Sequence, residues 1–220
     1  MVRYGEEKMK TVAISVTART LTPFAYHSLM VQSGTATLPE LIGDRAVAFG
    51  LAAALGMTAA RVALPKKNYQ KHLAAMPFRT SVFTTETPRL LAPLTRRLNL
   101  DAEAGLQKKV QDVAKKGNLK DFFRIQEVPP GQVFNGAVFG LDGFDPFKYA
   151  DQEKLVIRVG LHRSGMVLLR KTEEHLVRLN VSTAALFKQE LPMERYCLHG
   201  LQLSPVFSME DAAEEVTKWR

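Results

Sequence analysis

Two apolar stretches, Leu155-Val-Ile-Arg158-Val and Met166-Val-Leu-Leu-Arg170, flank the run Gly160-Leu-His162-Arg163-Ser164-Gly165. The apolar stretches read as strands. Glycine permits backbone conformations closed to other residues, so the run between them breaks the strand sharply. It leaves a loop of small residues, with exposed backbone N–H groups and two basic side chains. Such a loop suits a phosphate backbone better than a small hydrophobic substrate. Upstream, Ile125-Gln-Glu-Val128-Pro129-Pro130-Gly131-Gln-Val-Phe134 is a Pro-Pro-Gly turn feeding another strand. The plainer alternative is an ordinary β-hairpin in any α+β domain.

The chain between these strands and the termini is ample for a sizeable core. It has 220 residues, 46% hydrophobic and 24% charged, which is globular in composition. Cys197 is the single cysteine, so no intramolecular disulfide framework is available. That fits a reducing, cytoplasmic compartment, with Cys197 itself a buried thiol. One Cys and five scattered His give no zinc pattern. Met1 to Lys10 is charged and has no apolar core of a secretory signal. The longest apolar run, Ala46 to Met57, is shorter than the about 18 to 20 residues that span a membrane.

That run predicts a helix from Leu38 or Pro39 to Gly56, apolar nearly all round and therefore buried. Thr11 to Ala18 is rich in β-branched residues and reads as a strand. Thr20 to Thr37 reads as a connection broken by Pro23 and Gly34. Residues 58–80 are basic and irregular, and Pro65 and Pro77 deny them a long helix. Ser81 to Thr85 is a short strand ahead of Pro88. Asp101 to Lys116 reads as a charged helix ended by Gly117. Strands follow at 132–140, 155–170, Leu176 to Val181 and Tyr196 to Val206. A closing helix over Met209 to Trp219 opens on Ser208, with Asp211 three residues on, an acidic variant of the capping box. A strand, a buried helix, further strands and a closing helix predict an α+β fold. Helices on one face of an antiparallel sheet would be the ferredoxin-like arrangement, and other α+β folds fit the same pattern.

The net charge of +8 is concentrated. Thr58 to Ile125 holds 14 Lys and Arg against 5 Asp and Glu, a balance of +9; the rest holds 16 against 17. Localised cations beside Tyr69, Phe78, Phe83, Phe122 and Phe123 are what nucleic-acid binding needs: charge neutralises phosphates, and rings stack on unpaired bases. A solvated lysine-rich face, or contact with an acidic partner, is the alternative. The candidate RNA-contacting residues are Arg61, Lys66, Lys67, Lys71, His72, Arg79, Arg96, Arg97, Lys108 and Lys109 from this region. Arg158, His162, Arg163 and Ser164 join them from the glycine-loop strands.

The paired elements resemble those of the RAMP superfamily of CRISPR-associated proteins. Val128-Pro129-Pro130-Gly131-Gln132-Val133-Phe134 is similar to the family's turn-strand, and Arg158-Val159-Gly160-Leu161-His162-Arg163-Ser164-Gly165 to its strand-loop-strand. The loop departs from the family pattern in continuing with Met166-Val167, where more glycine is usual. Ile42-Gly43-Asp44-Arg45-Ala46 through Leu55-Gly56 resembles the first helix of the Cas Five group, notably its type I-D and type IV members. Phe83 to Arg89 is loosely similar to a turn of those proteins. The resemblance implies a ferredoxin-like (RRM-like) single domain over 1–220, with a thumb-like basic insertion at 58–125. It implies a non-catalytic subunit that caps a ribonucleoprotein effector of antiviral defence and grips the 5′ handle of the guide RNA (crRNA). Its partners would be that RNA, the backbone and large subunits and target DNA, with no membrane.

Some RAMP proteins cut RNA, so a guide-processing endoribonuclease is the alternative function. General acid–base cleavage needs a titratable group within reach of the 2′-OH. His162 is the best-placed candidate and His27 the runner-up; His72, His175 and His199 have no evident partner. No Ser-His-Asp set, phosphate-binding P-loop or dinucleotide fingerprint is present, so no cofactor is expected. Asp142 and Asp145 around Gly143 hint at a metal turn but read more simply as a turn. A basic metabolic enzyme with no nucleic-acid partner is the most distant alternative.

Overall fold

The alternation of Leu155, Ile157 and Val159 with Lys154, Val156 and Arg158 is also an alternation of burial: the first three are enclosed, the second three face outward. Successive side chains of a strand point to opposite faces, so this segment sits on a sheet with one covered side. The computed structural model describes residues 11–25, 28–31, 34–57, 68–97, 122–160 and 164–220.

Strand β1 (Val12–Thr20) is followed by the hairpin β2 (Ser28–Val31) and β3 (Gly34–Thr37), and by β4 (Leu41–Ile42), which leads into helix α1 (Asp44–Ala54). A short helix α2 (Tyr69–Ala74) precedes β5 (Phe78–Thr80), β6 (Phe83–Thr84), β7 (Leu94–Arg97) and β8 (Phe122–Ile125). Strand β9 (Val133–Gly140) runs through a 3-10 turn into helix α3 (Pro146–Tyr149). Strands β10 (Lys154–Val159) and β11 (Gly165–Lys171) flank the glycine loop. Strand β12 (Val177–Asn180) passes directly into α4 (Val181–Leu186), and the hairpin β13 (Arg195–Leu198) and β14 (Leu201–Phe207) leads to α5 (Met209–Thr217).

The architecture is α+β, as the pattern of elements predicts. The central sheet runs β10-β11-β1-β9-β6-β4, with β5 also on β9, and every pairing in it is antiparallel. A second sheet orders β12-β14-β13, and a third β2-β3-β8-β7. The core lies on the side of the central sheet that carries Ile14, Val16 and Ala18, register partners of Val138, Gly136 and Phe134. Helix α1 packs there, against β10 and β5. The expectation of helices on one face only is corrected by α5, which packs on β1 and β9. Arg79, on the side of β5 opposite Thr80 and α1, hydrogen-bonds the carbonyl of Trp219 beyond α5.

Helix α1 starts later than Pro39 because Leu41 and Ile42 are claimed by pairing with Thr84 and Phe83. It ends as expected: Gly56 takes φ +71°, its N–H reaches Ala53 O, and Met57 N–H reaches Ala52 O, a Schellman closure. Asp44 opens the helix from a buried position. It accepts hydrogen bonds from Asn180 Nδ2 at 2.6 Å and Thr183 Oγ1 at 2.5 Å, which tie the helix to β12 and α4. Helix α5 starts on the expected cap, with Asp211 N donating to Ser208 Oγ at 3.1 Å.

Three expectations change. The connection 20–37 contains a hairpin, Leu176 to Val181 ends in a helix, and Tyr196 to Val206 folds back at His199-Gly200. The region 58–125 is divided. Its β5 and β6 belong to the central sheet, whereas β7 and β8 pair in the third sheet. The charged helix expected over Asp101 to Lys116 lies outside the described residues. Among the described residues no helix is long and apolar enough to cross a membrane.

Candidate nucleic-acid interface

The glycine loop and the Pro-Pro-Gly turn, about thirty residues apart in sequence, are joined by the short segment that follows β1. Thr20 N donates to Gln132 O at 2.9 Å, and Gly131 N donates to Thr20 O at 2.8 Å. Thr20 Oγ1 donates to Pro129 O at 2.7 Å. Two residues on, Thr22 Oγ1 donates to Ser164 O at 3.1 Å and accepts from Met166 N at 2.8 Å. Phe24 then bridges to Val128, with Val128 N donating to Phe24 O at 2.9 Å. One connector thus grips the turn with one hand and the loop with the other.

Phe24 is fully buried and sets the glycine requirement of the loop. Gly160 has φ +83°, and a Cβ there would lie 2.8 Å from Ala25 O. A Cβ on Gly165 would lie 2.5 Å from the Phe24 Cβ. Both glycines are therefore dictated by close packing, and at Gly160 by the left-handed backbone as well. The segment Thr85 to Arg89 joins the same end of the sheet. Buried Gln132 donates through Nε2 to Thr85 Oγ1 at 3.0 Å and Thr87 O at 2.7 Å, and its Oε1 accepts from Arg89 Nε at 3.2 Å. The turn and the loop thus meet on Thr20 to Ala25, and Thr85 to Arg89 is held to the same end through Gln132.

Beside the loop, α1 and the edge strand β10 enclose a groove of about 440 Å³. Phe49, Ala53 and Ala54 form the helix wall, and Val156, Arg158 and Gly160 the strand wall. Gly50 lets the helix approach this closely, since a Cβ there would meet Arg158 O at 2.9 Å. The Arg158 side chain is exposed, and no carboxylate pairs with it among the described residues. The groove offers an aromatic edge and an apolar wall, with Arg158 at its strand edge, which suit a base and a phosphate together.

Helix α2 brings His72 to the outer side of this groove. The His72 ring meets the edge of Phe49 at a centroid distance of 6.3 Å, Tyr69 meets Phe49 at 5.9 Å, and Lys71 is exposed. Arg45 lies over the Tyr69 ring at 5.2 Å. Ser164 follows the loop and offers its carbonyl to Thr22. Arg96 and Arg97 are on β7, opposite Phe123 and Phe122 of β8, in the third sheet and not in the groove. Arg61, Lys66, Lys67, Lys108, Lys109, His162 and Arg163 lie outside the described residues.

Arg79 corrects one expectation. It is only 3% exposed and does not face solvent. Its guanidinium donates to Met76 O at 2.9 Å, Phe78 O at 2.8 Å and Trp219 O at 2.8 Å, and its Cζ lies 4.8 Å from the centre of the Phe187 ring. Burial, and then the neighbouring charge of Arg220, push it down to about 10. This arginine closes the C-terminus onto β5.

The remaining titratable candidates are structural. His175 hydrogen-bonds the carbonyls of Glu173 and Gly136 through its two ring nitrogens. Asp145 caps α3, accepting from Phe147 N at 2.9 Å, and Asp142 pairs with Arg220 at 2.8 Å. No cluster of three metal-ligating side chains occurs among the described residues. Cys197 is half-buried, and burial pushes its thiol up, away from reactivity. His27 lies outside the described residues.

Sequence reasoning missed Thr22, Phe24, Phe49 and Gln132. Phe24 and Thr22 were hidden in a stretch read as a plain connection, although Thr-Pro-Phe after a strand is a usable turn signal. Phe49 was lost in an apolar run with no obvious outer face. No protein-family model matches the chain, and no curated protein matches it.

Proposed function

We propose that this protein is a non-catalytic RNA-binding subunit of a CRISPR ribonucleoprotein effector, built on a ferredoxin-like RAMP domain, that grips the 5′ handle of the guide RNA. The observation that carries the proposal is the convergence of the glycine loop, the Pro-Pro-Gly turn and the 85–89 turn beside the Arg158 groove. Nothing in an ordinary hairpin requires the loop and the turn to share one connector, or Gln132 after the turn to hold the 85–89 segment. The concentrated positive charge supports the same role, with His72 against Phe49 of the groove and Lys71 exposed on the same helix. The ferredoxin-like reading rests on α1 lying across one face of an antiparallel sheet, with α5 an addition on the other face.

The test compares a guide RNA carrying its 5′ handle with the same RNA lacking it. Arg158→Ala and Arg163→Ala should each weaken handle binding by about 1–3 kcal/mol, the range for a charge-assisted hydrogen bond, while the fold survives. Equal affinity for the two RNAs would remove the handle-binding role. Precursor RNA incubated with the purified protein should stay intact at neutral pH. Cleavage at a fixed position in chelator, abolished by His162→Ala, would establish the guide-processing nuclease instead.

A further inference from the structure

The side of the central sheet away from α1 exposes Arg19, Lys154, Val156, Arg158 and Arg170 over its outer half, and its cations form a track. Pairing puts Lys154 opposite Arg170, and Arg170 opposite Thr17. The next row puts Val156 opposite Leu168, and Leu168 opposite Arg19. Arg158 begins the last row, opposite Met166. The complementary rows, such as Leu155, Leu169 and Ala18, are buried. Lys154, Arg158, Arg170 and Arg19 are all exposed, and these rows hold no carboxylate. Asp151 and Glu153, outside these rows, line the same pocket as Lys154 and Arg170. None of the four cations has an ion-pair partner among the described residues.

We propose that this open sheet face is a second RNA-binding surface, along which a single strand leaving the Arg158 groove runs toward Arg170 and Lys154. The inference rests on the RNA-binding role proposed above and extends it. Two features select the occupant. The charge of these rows is of one sign and complements a phosphate chain, and Arg158 both lines the groove and begins the last row of the face, so one strand can touch both. The rows carry no aromatic ring, so recognition here is through phosphate and sugar and is indifferent to base identity. The Val156 and Leu168 side chains between the cations offer apolar contact to sugars.

The experiment uses the full chain and two probes, a handle-bearing guide RNA and a uridine homopolymer of about 20 nucleotides, long enough to cover an oligonucleotide site of the usual extent. Arg19→Glu with Arg170→Glu should lower the slope of log K against log salt for the homopolymer by about 1.4, because each single-strand phosphate contributes about 0.7. Preference for the handle should persist in that double variant. Photocrosslinking of the unmodified protein to 4-thiouridine RNA should label peptides of β10 and β11, a result that needs no variant to fold. An unchanged slope with crosslinks confined to the glycine loop overturns the second surface and leaves the handle role standing. Homopolymer binding through this face without any handle preference overturns the handle role and keeps the surface. A double variant that binds RNA normally but loses a protein contact would make the face a protein interface and overturn the proposal.

Discussion

Arg79 and Asp44 show how much of this chain's polarity is spent inside. Arg79 is held by three backbone carbonyls and an aromatic ring, with its Nε unpartnered among the described residues. Arg79→Ala should therefore destabilise the fold by about 2–4 kcal/mol, since it strands buried acceptors and opens a cavity. Urea unfolding measures the loss, and the salt slope of RNA binding in the folded variant should match the unmodified protein. A lowered slope with undiminished stability would return Arg79 to the RNA surface. Asp44 gives a pH signature. Burial holds its carboxyl above the usual 3.8 in spite of the Thr183 and Asn180 hydrogen bonds. The folded state thus keeps a proton that the unfolded chain has released. That contribution is fully present below 3.8 and is lost as pH rises through the folded value. Asp44→Asn keeps the Asn180 contact and removes the titration, so its stability relative to the unmodified protein should improve as pH is raised from that range to neutrality. A difference that stays constant with pH would show that Asp44 does not titrate as its burial demands.

At the scale of elements, the connector Thr20 to Ala25 does what neither motif does alone. Thr22→Val preserves shape but removes the hydroxyl that donates to Ser164 O and accepts from Met166 N. It should cost about 1–2 kcal/mol and raise hydrogen exchange at Met166 more than at Leu169 in the middle of β11. Uniform exchange across the strand would mean the loop is held elsewhere. This connector also marks the limit of what sequence reasoning reached. The strands at 12–20, 133–140, 154–159 and 165–171 were legible because β-branched, apolar or alternating residues signal them locally. The loop and turn were legible because glycine and proline restrict the backbone locally. The groove was not, since it exists only where α1 crosses the edge of β10, and no local pattern says which face of an alanine-rich helix will stay open. Arg79 was misassigned for the same reason: composition counts a cation without knowing that Trp219 will fold over it. Asp101 to Lys116 carries a helical pattern that lies outside the described residues.

For the molecule as a whole, the proposed RNA-binding role turns on where its charge lies. Thr58 to Ile125 carries +9 while the rest of the chain is nearly neutral, so any steering field is local to one region and the surfaces beside it. Lys66, Lys67 and Lys71 form the densest early cluster, and Lys71 stands exposed on α2, whose His72 touches the Phe49 wall of the groove. If that cluster approaches the RNA in the groove, each lysine displaces counterions from the strand, and affinity must fall steeply as salt rises. Reversing all three to Glu should then flatten the slope of log K against log salt by about 2, at about 0.7 for each phosphate released. Lys71 is exposed, and unfolding curves should coincide with those of the unmodified protein. The same reversal should leave the homopolymer crosslinks on β10 and β11 in place, because those depend on Arg19 and Arg170. A slope that does not change would place the RNA away from α2 and leave the lysines to solvent or an acidic partner. A slope that falls only for handle-bearing RNA would locate the handle itself against this cluster.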